Sequence, residues 1–440
     1  MRQRQTKPRL IQAMIDAFRL PDLRKRILFT LGILVAFRFI AHVPLPGVDG
    51  DALAGFFEQN TLFSMLDMFS GGAMKNFSVA AMGVYPYITA SIIMTLMTPV
   101  IPKLQAIAQE GEAGRNKINR ITHWLTIPIA GFAGYGQITL LRNAQVPVFQ
   151  DISGLTMVTM IISLIAGTVF LIWLGELITE YGIGNGISII IFGGIVAGYW
   201  EMFGSGFLTG QGQLGGLIAY IIIALATVVI IVLFTEAHRR IPVQYARTVY
   251  RGNRMYKQQG STHIPLRVNT AGMIPLIFAM SLTLFPGMIA SYFMGPENSP
   301  NFANTIYNVF QPDASLPVGL IYWIIYFLLV VGFAFFYTMV IFQQQDMAGT
   351  LQRQGGFVPG IRPGKYTSDY FNHVISRITW AGALYLAFVA IIPFLAREIT
   401  DVQMIQLSSM GLLIVVGVTL DTMKQMEAQL TMRRYEGFIK

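Results

Sequence analysis

Ten apolar stretches, separated by polar and charged segments, form the main hydrophobic pattern of the chain. They lie at about 27–43, 78–98, 121–141, 154–175, 187–200, 214–235, 270–294, 317–341, 378–396 and 404–420. Arg38 is the only Asp, Glu, Lys or Arg inside any of them. A lone charge at the bilayer centre costs about 2.5–3.5 kcal/mol, and about 20 apolar residues cross the hydrocarbon core. The pattern therefore predicts a polytopic membrane protein with ten transmembrane helices, the short stretch 187–200 included.

The distribution of positive charge predicts how these helices are oriented. The segments between the stretches fall into two alternating sets, and 27 of the 31 Lys and Arg residues lie in the set that contains both termini. The other set holds only Lys75, Arg142 and Arg397. Because Lys and Arg are enriched on the cytoplasmic side of membrane proteins, both termini are expected in the cytoplasm. A missed span would mix the two sets, so the asymmetry also supports the count of ten.

Ten spans of this parity divide into two halves of five. The first half would cover 27–205 and the second 206–424, with a cytoplasmic amphipathic segment at 1–26 and a cytoplasmic tail at 425–440. Two consecutive halves of five spans have opposite orientations, which is the inverted-repeat arrangement of many transport proteins. The predicted fold class is therefore an all-α membrane protein with two pseudo-symmetric, inverted halves.

The outer segment 61–77 is neither a span nor an ordinary polar loop. It is partly apolar, yet it holds Asp67 and Lys75, and it is interrupted by Gly71 and Gly72. Broken backbone at membrane depth is tolerated where it lines a cavity, so the pattern predicts a half-helix that dips back into the protein. A surface helix in an ordinary loop is the alternative.

The composition excludes several kinds of chemistry. There are no cysteines, and none of the five histidines pairs at the spacing of a helical metal site. No HExxH, GxSxG or Walker pattern occurs, so neither an enzyme nor a resident cofactor or metal is expected. A small-solute permease is the second hypothesis, but Arg38 is its only midplane charge and no acidic coupling group accompanies it.

Two long segments on the predicted cytoplasmic side, 236–269 and 342–377, are basic. In the second, Pro359 and Pro363 flank Arg362 and predict a stiff turn that presents its guanidinium. Loops of this length are commonly functional, and solvated loops that face lipid headgroups are the alternative. The net charge of +9 also permits an anionic partner such as the ribosome. The arginines singled out here are Arg239, Arg240, Arg251, Arg254 and Arg362.

Five motifs follow one another in the order found in a single membrane protein family. They are Phe69–Gly72, Gly83–Ile93, Trp173–Ser188, Ser261–Leu266 and Phe357–Gly364. With these motifs in register from about residue 20 to 435, the chain resembles SecY, the protein-conducting channel subunit of the bacterial Sec translocon. The resemblance implies two five-helix halves around an hourglass pore.

The resemblance also implies a plug and a pore ring. The plug is a short helix at about 61–75, and the ring is formed by six aliphatic side chains at the waist of the pore. Stiff, branched, apolar side chains form a constriction that excludes ions and binds no passing sequence specifically. The plug residues are Met65, Phe69, Ser70, Gly71 and Gly72. The ring residues are Val84, where the family prefers isoleucine, Ile88, Ile187, Ile191, Ile277 and Ile414.

The function implied by the resemblance is passage of unfolded secretory polypeptides across the cytoplasmic (inner) membrane of a bacterium. Transmembrane helices would leave sideways into the lipid bilayer through a lateral gate between spans 2 and 7, at Thr89, Thr95 and Asn269. The implied partners are the subunits SecE and SecG, the ATPase SecA and the ribosome, with signal peptides and nascent membrane proteins as clients. SecA and the ribosome would dock on the basic loops, and they or the proton-motive force would supply the energy.

Overall fold

The computed structural model describes residues 20–59, 67, 70–142, 149, 153–209, 214–251, 254–291, 293, 301–310, 318–345, 347–400 and 409–436. Most of the predicted N-terminal amphipathic segment, with residues 1–19, lies outside this range. Within it, long helices occupy the apolar stretches and four shorter helices lie between them. They are α1 Pro21–Ala41, α2 Gly50–Gln59, α3 Tyr85–Val100, α4 Pro102–Gln109, α5 Glu112–Arg142, α6 Gly154–Tyr181, α7 Gly186–Thr209, α8 Leu214–Glu236, α9 Ile274–Ser291, α10 Phe302–Val309, α11 Val318–Gln345, α12 Met347–Arg353, α13 Lys365–Thr400 and α14 Ser409–Glu436.

Three helical stretches of the described chain are long and apolar enough to cross a membrane by themselves. They are Gly154–Tyr181, Val318–Arg353 and Lys365–Ala396. Helices α3 and α4 are bent by 99° at the break between them, and as one broken span they would make a fourth. Shorter apolar helical stretches lie in α7, α8 and α9. The count of ten spans stays a prediction.

Several helices extend beyond the apolar stretches from which they were predicted. The short stretch 187–200 is part of the 24-residue helix α7. Helix α5 begins at Glu112, inside the segment expected as a cytoplasmic loop. Helix α14 continues to Glu436, through most of the expected tail. Hydrophobicity marks only the part of a helix that lipid surrounds, whereas the backbone hydrogen bonds of the helix continue into water. The length of an apolar stretch therefore underestimates the length of the helix.

The chain forms two compact units. Unit 1 comprises residues 1–91, 119–209 and 414–440, and unit 2 comprises 92–118 and 210–413. In unit 1, α6 packs against both α1 and α7. The side chains of Phe37, Leu164, Leu171 and Ile195 are fully or almost fully buried there. Gly182 and Gly184 lie in the turn that joins α6 to α7, and Gly186 is the first residue of α7.

Unit 2 contains a helical packing core of its own. Helix α11 packs against α9 and α13, and α8 packs against α13. Aromatic rings stack at two of these contacts: Phe278 with Phe333, with centroids 5.2 Å apart, and Phe234 with Tyr385, at 4.2 Å. These pairs fix helix against helix within the unit.

Unit 2 also carries a sheet that the sequence analysis did not predict. Strands β1 (His238–Arg251) and β2 (Arg254–Arg267) form a long antiparallel hairpin, and the short β3 (Gly356–Phe357) pairs with β1 at Gln244 and Tyr245. The sheet order is β2-β1-β3. Residues 239–245 read Arg-Arg-Ile-Pro-Val-Gln-Tyr, and from Ile241 to Tyr245 every second side chain is large and apolar, which is the period of a strand.

Candidate functional site

Asp67 closes the described part of the predicted plug into a compact loop. Its side chain is only 4% exposed, and its Oδ1 accepts hydrogen bonds from the backbone N–H of Met74 (2.9 Å) and of Lys75 (3.0 Å) and from the Ser70 hydroxyl (3.0 Å). The backbone carbonyl of Asp67 accepts from the N–H of Gly72 at 3.2 Å. Burial raises the pKa of the Asp67 carboxyl, and these hydrogen bonds oppose that rise. Met65 and Phe69, the other predicted plug residues, lie outside the described residues.

The backbone of this loop rests directly on helix α7. A Cβ added to Gly71 would lie 2.7 Å from the Cα of Gly194, and a Cβ added to Gly194 would lie 2.9 Å from the Cα of Gly71. The aromatic ring of Phe37, on α1, covers the same contact. Two glycines therefore allow two backbones to approach more closely than any side chain would permit.

Arg38 contacts the same loop from α1. Its Nη1 donates a hydrogen bond to the carbonyl oxygen of Gly71. The sequence analysis singled out Arg38 as the only charge within an apolar stretch but gave it no role. The isolated charge signalled that this residue is unusual. The sequence could not identify its partner, because Gly71 is 33 residues away in the chain.

The residues just after the predicted plug are fixed to the segment that follows α1. The carbonyl of Phe77 accepts a hydrogen bond from the Leu45 N–H (3.0 Å), and the Val79 N–H donates to the carbonyl of Val43 (3.2 Å). Phe77 is fully buried and has a φ of 39°, a left-handed conformation that is uncommon outside glycine. The backbone is thus held in a strained bend where the plug meets the second apolar stretch.

Five of the six predicted ring residues belong to unit 1, and Ile277 belongs to unit 2. Val84, Ile191 and Ile414 are at most 4% exposed, and Ile277 is 9% exposed. Ile88 and Ile187 are half-buried. Ile187 packs on α6, since a Cβ added to Gly175 would lie 2.8 Å from its Cγ1. On α7, Ile191 lies three residues before Gly194 and so on the same face as the plug contact.

The predicted gate residues make local hydrogen bonds. The Thr89 hydroxyl donates to the carbonyl of Tyr85 on its own helix at 3.1 Å. The side-chain oxygen of Asn269 accepts from the N–H of Gly272 at 3.0 Å, which shapes the turn before α9. Thr95 is half-buried on α3. These hydrogen bonds of Thr89 and Asn269 are therefore made to backbone groups three or four residues away in the chain.

The two basic segments, which are predicted to be cytoplasmic, share one hydrophobic core, although they are about 100 residues apart in the sequence. Ile241, Val243 and Leu266 of the hairpin pack with residues of the second segment, and Arg239, Arg240 and Arg362 are exposed around this core. Arg362 lies two residues after Gly360, whose φ is 84°. The backbone carbonyl of Arg362 accepts a hydrogen bond from the Thr367 hydroxyl at 2.9 Å. The side chains of Arg251 and Arg254 lie outside the described residues. The other core residues are Leu351, Val358, Phe371, Val374 and Ile375.

A polar cluster that the sequence analysis missed lies near the ends of three helices of unit 1. The Tyr87 hydroxyl donates to Asn119 Oδ1 at 3.2 Å, and the Tyr87 ring lies 5.6 Å from that of His123. His123 Nε2 is 3.3 Å from Glu176 Oε1. Its members come from three separate stretches, so spacing along the chain gave no signal. Within the described residues, no group of three or more His, Cys, Asp or Glu is arranged to hold a metal ion.

Comparison with known proteins gives consistent matches over the whole chain. The SecY family model matches residues 78–423. The protein translocase subunits SecY of Streptomyces galbus and Halalkalibacterium halodurans are 41% and 42% identical over 449 and 441 residues, and both matches cover 98% of this chain and 100% of the relative. The SecY of Thermotoga maritima is 40% identical over 438 residues and covers 98% of each chain.

Solved structures confirm the predicted class of fold. The structure described as "The structure of a protein conducting channel" has a TM-score of 0.63 at 17% identity and covers 94% of this chain and 96% of its own. Canine Sec61 in a ribosome–channel complex has a TM-score of 0.61 at 16% identity, with the same coverage. At such identities these likenesses establish the channel fold alone.

Proposed function

The chain belongs to the SecY family of protein translocase subunits, and we propose how its own residues conduct a polypeptide. As a member of this family it is a protein-conducting membrane channel subunit with a plug. The proposal is that the loop around Asp67 is that plug and that Val84, Ile88, Ile187, Ile191, Ile277 and Ile414 line the constriction beside it.

One observation supports this proposal more than any other. Gly71 of the plug loop lies against Gly194, one helical turn from Ile191 on the same face of α7. A plug seated there covers the position that a constriction at Ile191 would occupy. A permease for small solutes has no need for a removable loop packed backbone to backbone on a helix.

The chemistry of the ring residues suits a channel that must accept any sequence. Branched aliphatic side chains offer no hydrogen bonds to a passing chain, and their stiff χ1 keeps the aperture defined. An apolar constriction also dewets, which blocks ions when no polypeptide fills it. A ring of this kind would close around the translocating chain without recognising it.

The lateral gate is proposed between α3 and α9. Hydrogen bonds between membrane helices contribute about 0.6 kcal/mol on average, so the polar residues at such a seam hold it only weakly. A signal helix of about 15–20 strongly apolar residues gains roughly 5–10 kcal/mol on entering lipid. The client itself would therefore drive the gate open, with Thr89, Thr95 and Asn269 as seam residues.

The basic cytoplasmic sheet is proposed as the docking surface for the energy source. Arg239, Arg240 and Arg362 project from one packed core, so a partner can bind them as a single rigid surface; Arg251 and Arg254 would extend it along the hairpin. The proposed partners are the ATPase SecA and the ribosome, and the proposed companion subunits are SecE and SecG. From the unequal distribution of Lys and Arg between the two sides, we propose that the protein lies in the bacterial cytoplasmic membrane with both termini in the cytoplasm.

The test is site-directed photocrosslinking with a stalled secretory precursor. A photoreactive residue at Ile191 is expected to label the precursor only when SecA and ATP are present. The matched control is Val196 on the same helix, which is 41% exposed and is expected to face lipid and to give no precursor adduct. Absence of labelling at Ile191, together with solute uptake by proteoliposomes, would favour the permease instead.

A further inference from the structure

The seated plug is held by contacts that come from outside the plug itself. Arg38 on α1 donates to the Gly71 carbonyl, and Gly194 on α7 supplies the surface on which Gly71 rests. Both elements belong to the same compact unit as the plug. The plug therefore has a specific seat, which combines one charged hydrogen bond with one steric fit.

We propose that Arg38 is a positioning residue that latches the plug shut through the Gly71 carbonyl, which the Asp67 loop presents to it. The inference rests on the proposed identity of this loop as the plug. It assigns to the single charge of the first apolar stretch a part in closing the channel.

The cost of placing Arg38 in this stretch supports a functional role. A guanidinium within apolar surroundings must find polar partners, because it stays charged in proteins. Arg38 is half-buried, and the Gly71 carbonyl is one partner it has found. When the plug leaves, that hydrogen bond is lost in a region of low dielectric, so the departure is opposed by more than apolar contact.

The acceptor suits a latch that has to open. Because the guanidinium is charged, its hydrogen bond to the carbonyl is stronger than one between two neutral amide groups. Because the carbonyl is neutral, the contact lacks the direct attraction of opposite charges in an ion pair. The carbonyl is presented in a fixed direction because Oδ1 of Asp67 holds the backbone on its far side, at Met74 and Lys75. Removal of Asp67 should therefore weaken the latch without touching Arg38.

The absence of cysteine from the chain allows a direct test in the full-length protein. Ala73 is 0% exposed and lies within the plug loop, so Ala73→Cys reports whether the plug is seated. Lys75→Cys, two residues later, is at an exposed position and serves as the reference. The measurement is the rate at which a maleimide modifies each of these two reporter variants in the protein reconstituted with its copurified subunits into lipid nanodiscs.

We expect Arg38→Met to speed the modification of the Ala73→Cys reporter by about tenfold, which corresponds to roughly 1.4 kcal/mol, and to leave the Lys75→Cys reference unchanged. Arg38→Lys, which keeps the positive charge and can still donate hydrogen bonds, should keep part of the slow rate. Asp67→Ala should act in the same direction as Arg38→Met, and this second variant keeps the test valid if Arg38→Met does not fold. Arg142→Met, at an exposed arginine at the end of α5, is the matched control and should change neither rate.

An unchanged rate for the Ala73→Cys reporter in both Arg38→Met and Asp67→Ala would overturn the latch. So would a rate that rises equally for Arg38→Lys and Arg38→Met, since that would indicate packing rather than hydrogen bonding. The assay needs no translocation, so its failure can be told apart from failure of the proposed pore. Faster modification of the Ala73→Cys reporter without precursor crosslinking at Ile191 would keep the latch and reject the placement of Ile191 in the pore.

Discussion

At the scale of single residues, small side chains matter as much as large ones in this protein. Gly71 and Gly194 permit a contact in which each glycine's missing Cβ would lie within 3 Å of the other's Cα. Arg38 donates a hydrogen bond to the carbonyl of Gly71, and Oδ1 of Asp67 accepts hydrogen bonds from three donors. None of these side chains reacts, and their contribution is the position of backbone.

The Gly71 contact predicts the effect of Gly194→Ala. The new methyl group would lie 2.9 Å from the Gly71 Cα, and overpacking of this kind typically costs about 1–3 kcal/mol. We expect the plug to be displaced and reconstituted vesicles to leak small ions. Gly198→Ala, on the same helix with nothing within 4 Å of the added Cβ, is the control, and vesicles that contain it should not leak ions. Equal tightness of both variants in a conductance measurement would contradict the contact.

At the scale of elements, the turn between α6 and α7 shows a motif with a structural explanation. A Cβ added to Gly186 would lie 1.8 Å from the carbonyl oxygen of Gly175. The N–H of Ile183 donates to the Thr30 hydroxyl of α1 at 3.2 Å, and Ile183 packs with Leu23 in a small buried cluster. The glycine-rich motif therefore allows three helices to pack closely at this turn.

This turn predicts that Gly186→Ala destabilises the protein. Because the added methyl group would clash with backbone, α6 and α7 must separate. We expect the free energy of unfolding to fall by about 1–3 kcal/mol or more, and the variant to be scarce in membranes. Gly154→Ala, where the added Cβ meets nothing within 4 Å, is the control and should keep normal abundance. Immunodetection in membrane fractions and thermal unfolding measure the difference. Normal levels of Gly186→Ala would show that this turn is not tightly packed.

The basic sheet predicts a variant that loses partner binding and keeps its fold. Arg362 is exposed at a turn, and surface substitutions usually change stability by less than about 0.5 kcal/mol. Arg362→Glu is therefore expected to stop SecA-dependent export while the protein stays abundant. Arg353→Glu, an exposed arginine on α12, tests whether charge alone matters. Export assays on vesicles from both strains decide, and equal losses would argue against a specific role for Arg362.

At the scale of the whole molecule, the proposed function requires the protein to open in two directions: across the membrane for secreted chains and sideways for membrane helices. Opening across the membrane depends on displacement of the plug, and sideways opening depends on separation of α3 from α9. These two openings need different parts of the chain, so they should be separable by experiment. A covalent bond across the seam should block one function before the other.

We expect a disulfide between cysteines placed on α3, starting at Thr89, and on α9 to abolish insertion of membrane proteins. Reduction should restore insertion, because the bond is the only change. Each single-cysteine variant, which can form no bond across the seam, is the control and should insert normally. Insertion of a model membrane protein into vesicles is the measurement. Undiminished insertion through a fully crosslinked α3–α9 pair would refute the lateral gate.

The sequence alone determined the membrane class, the long helices and the family. These follow from hydrophobicity and charge, which act residue by residue and leave a pattern along the chain. It also pointed to the segment around Gly71 and Gly72, because an acid and two glycines interrupt an apolar run there. The positions of the ring and gate residues came from resemblance, since any one buried isoleucine looks like another in a sequence.

Only the tertiary structure decided which distant residues meet. The bond from Arg38 to Gly71 and the contact between Gly71 and Gly194 join separate stretches of chain. The common core of the two basic segments likewise appears only when β3 pairs with β1, about 100 residues away. Hydrophobic burial is non-directional and leaves a periodic signal, whereas a hydrogen bond or a backbone contact depends on geometry that folding alone creates.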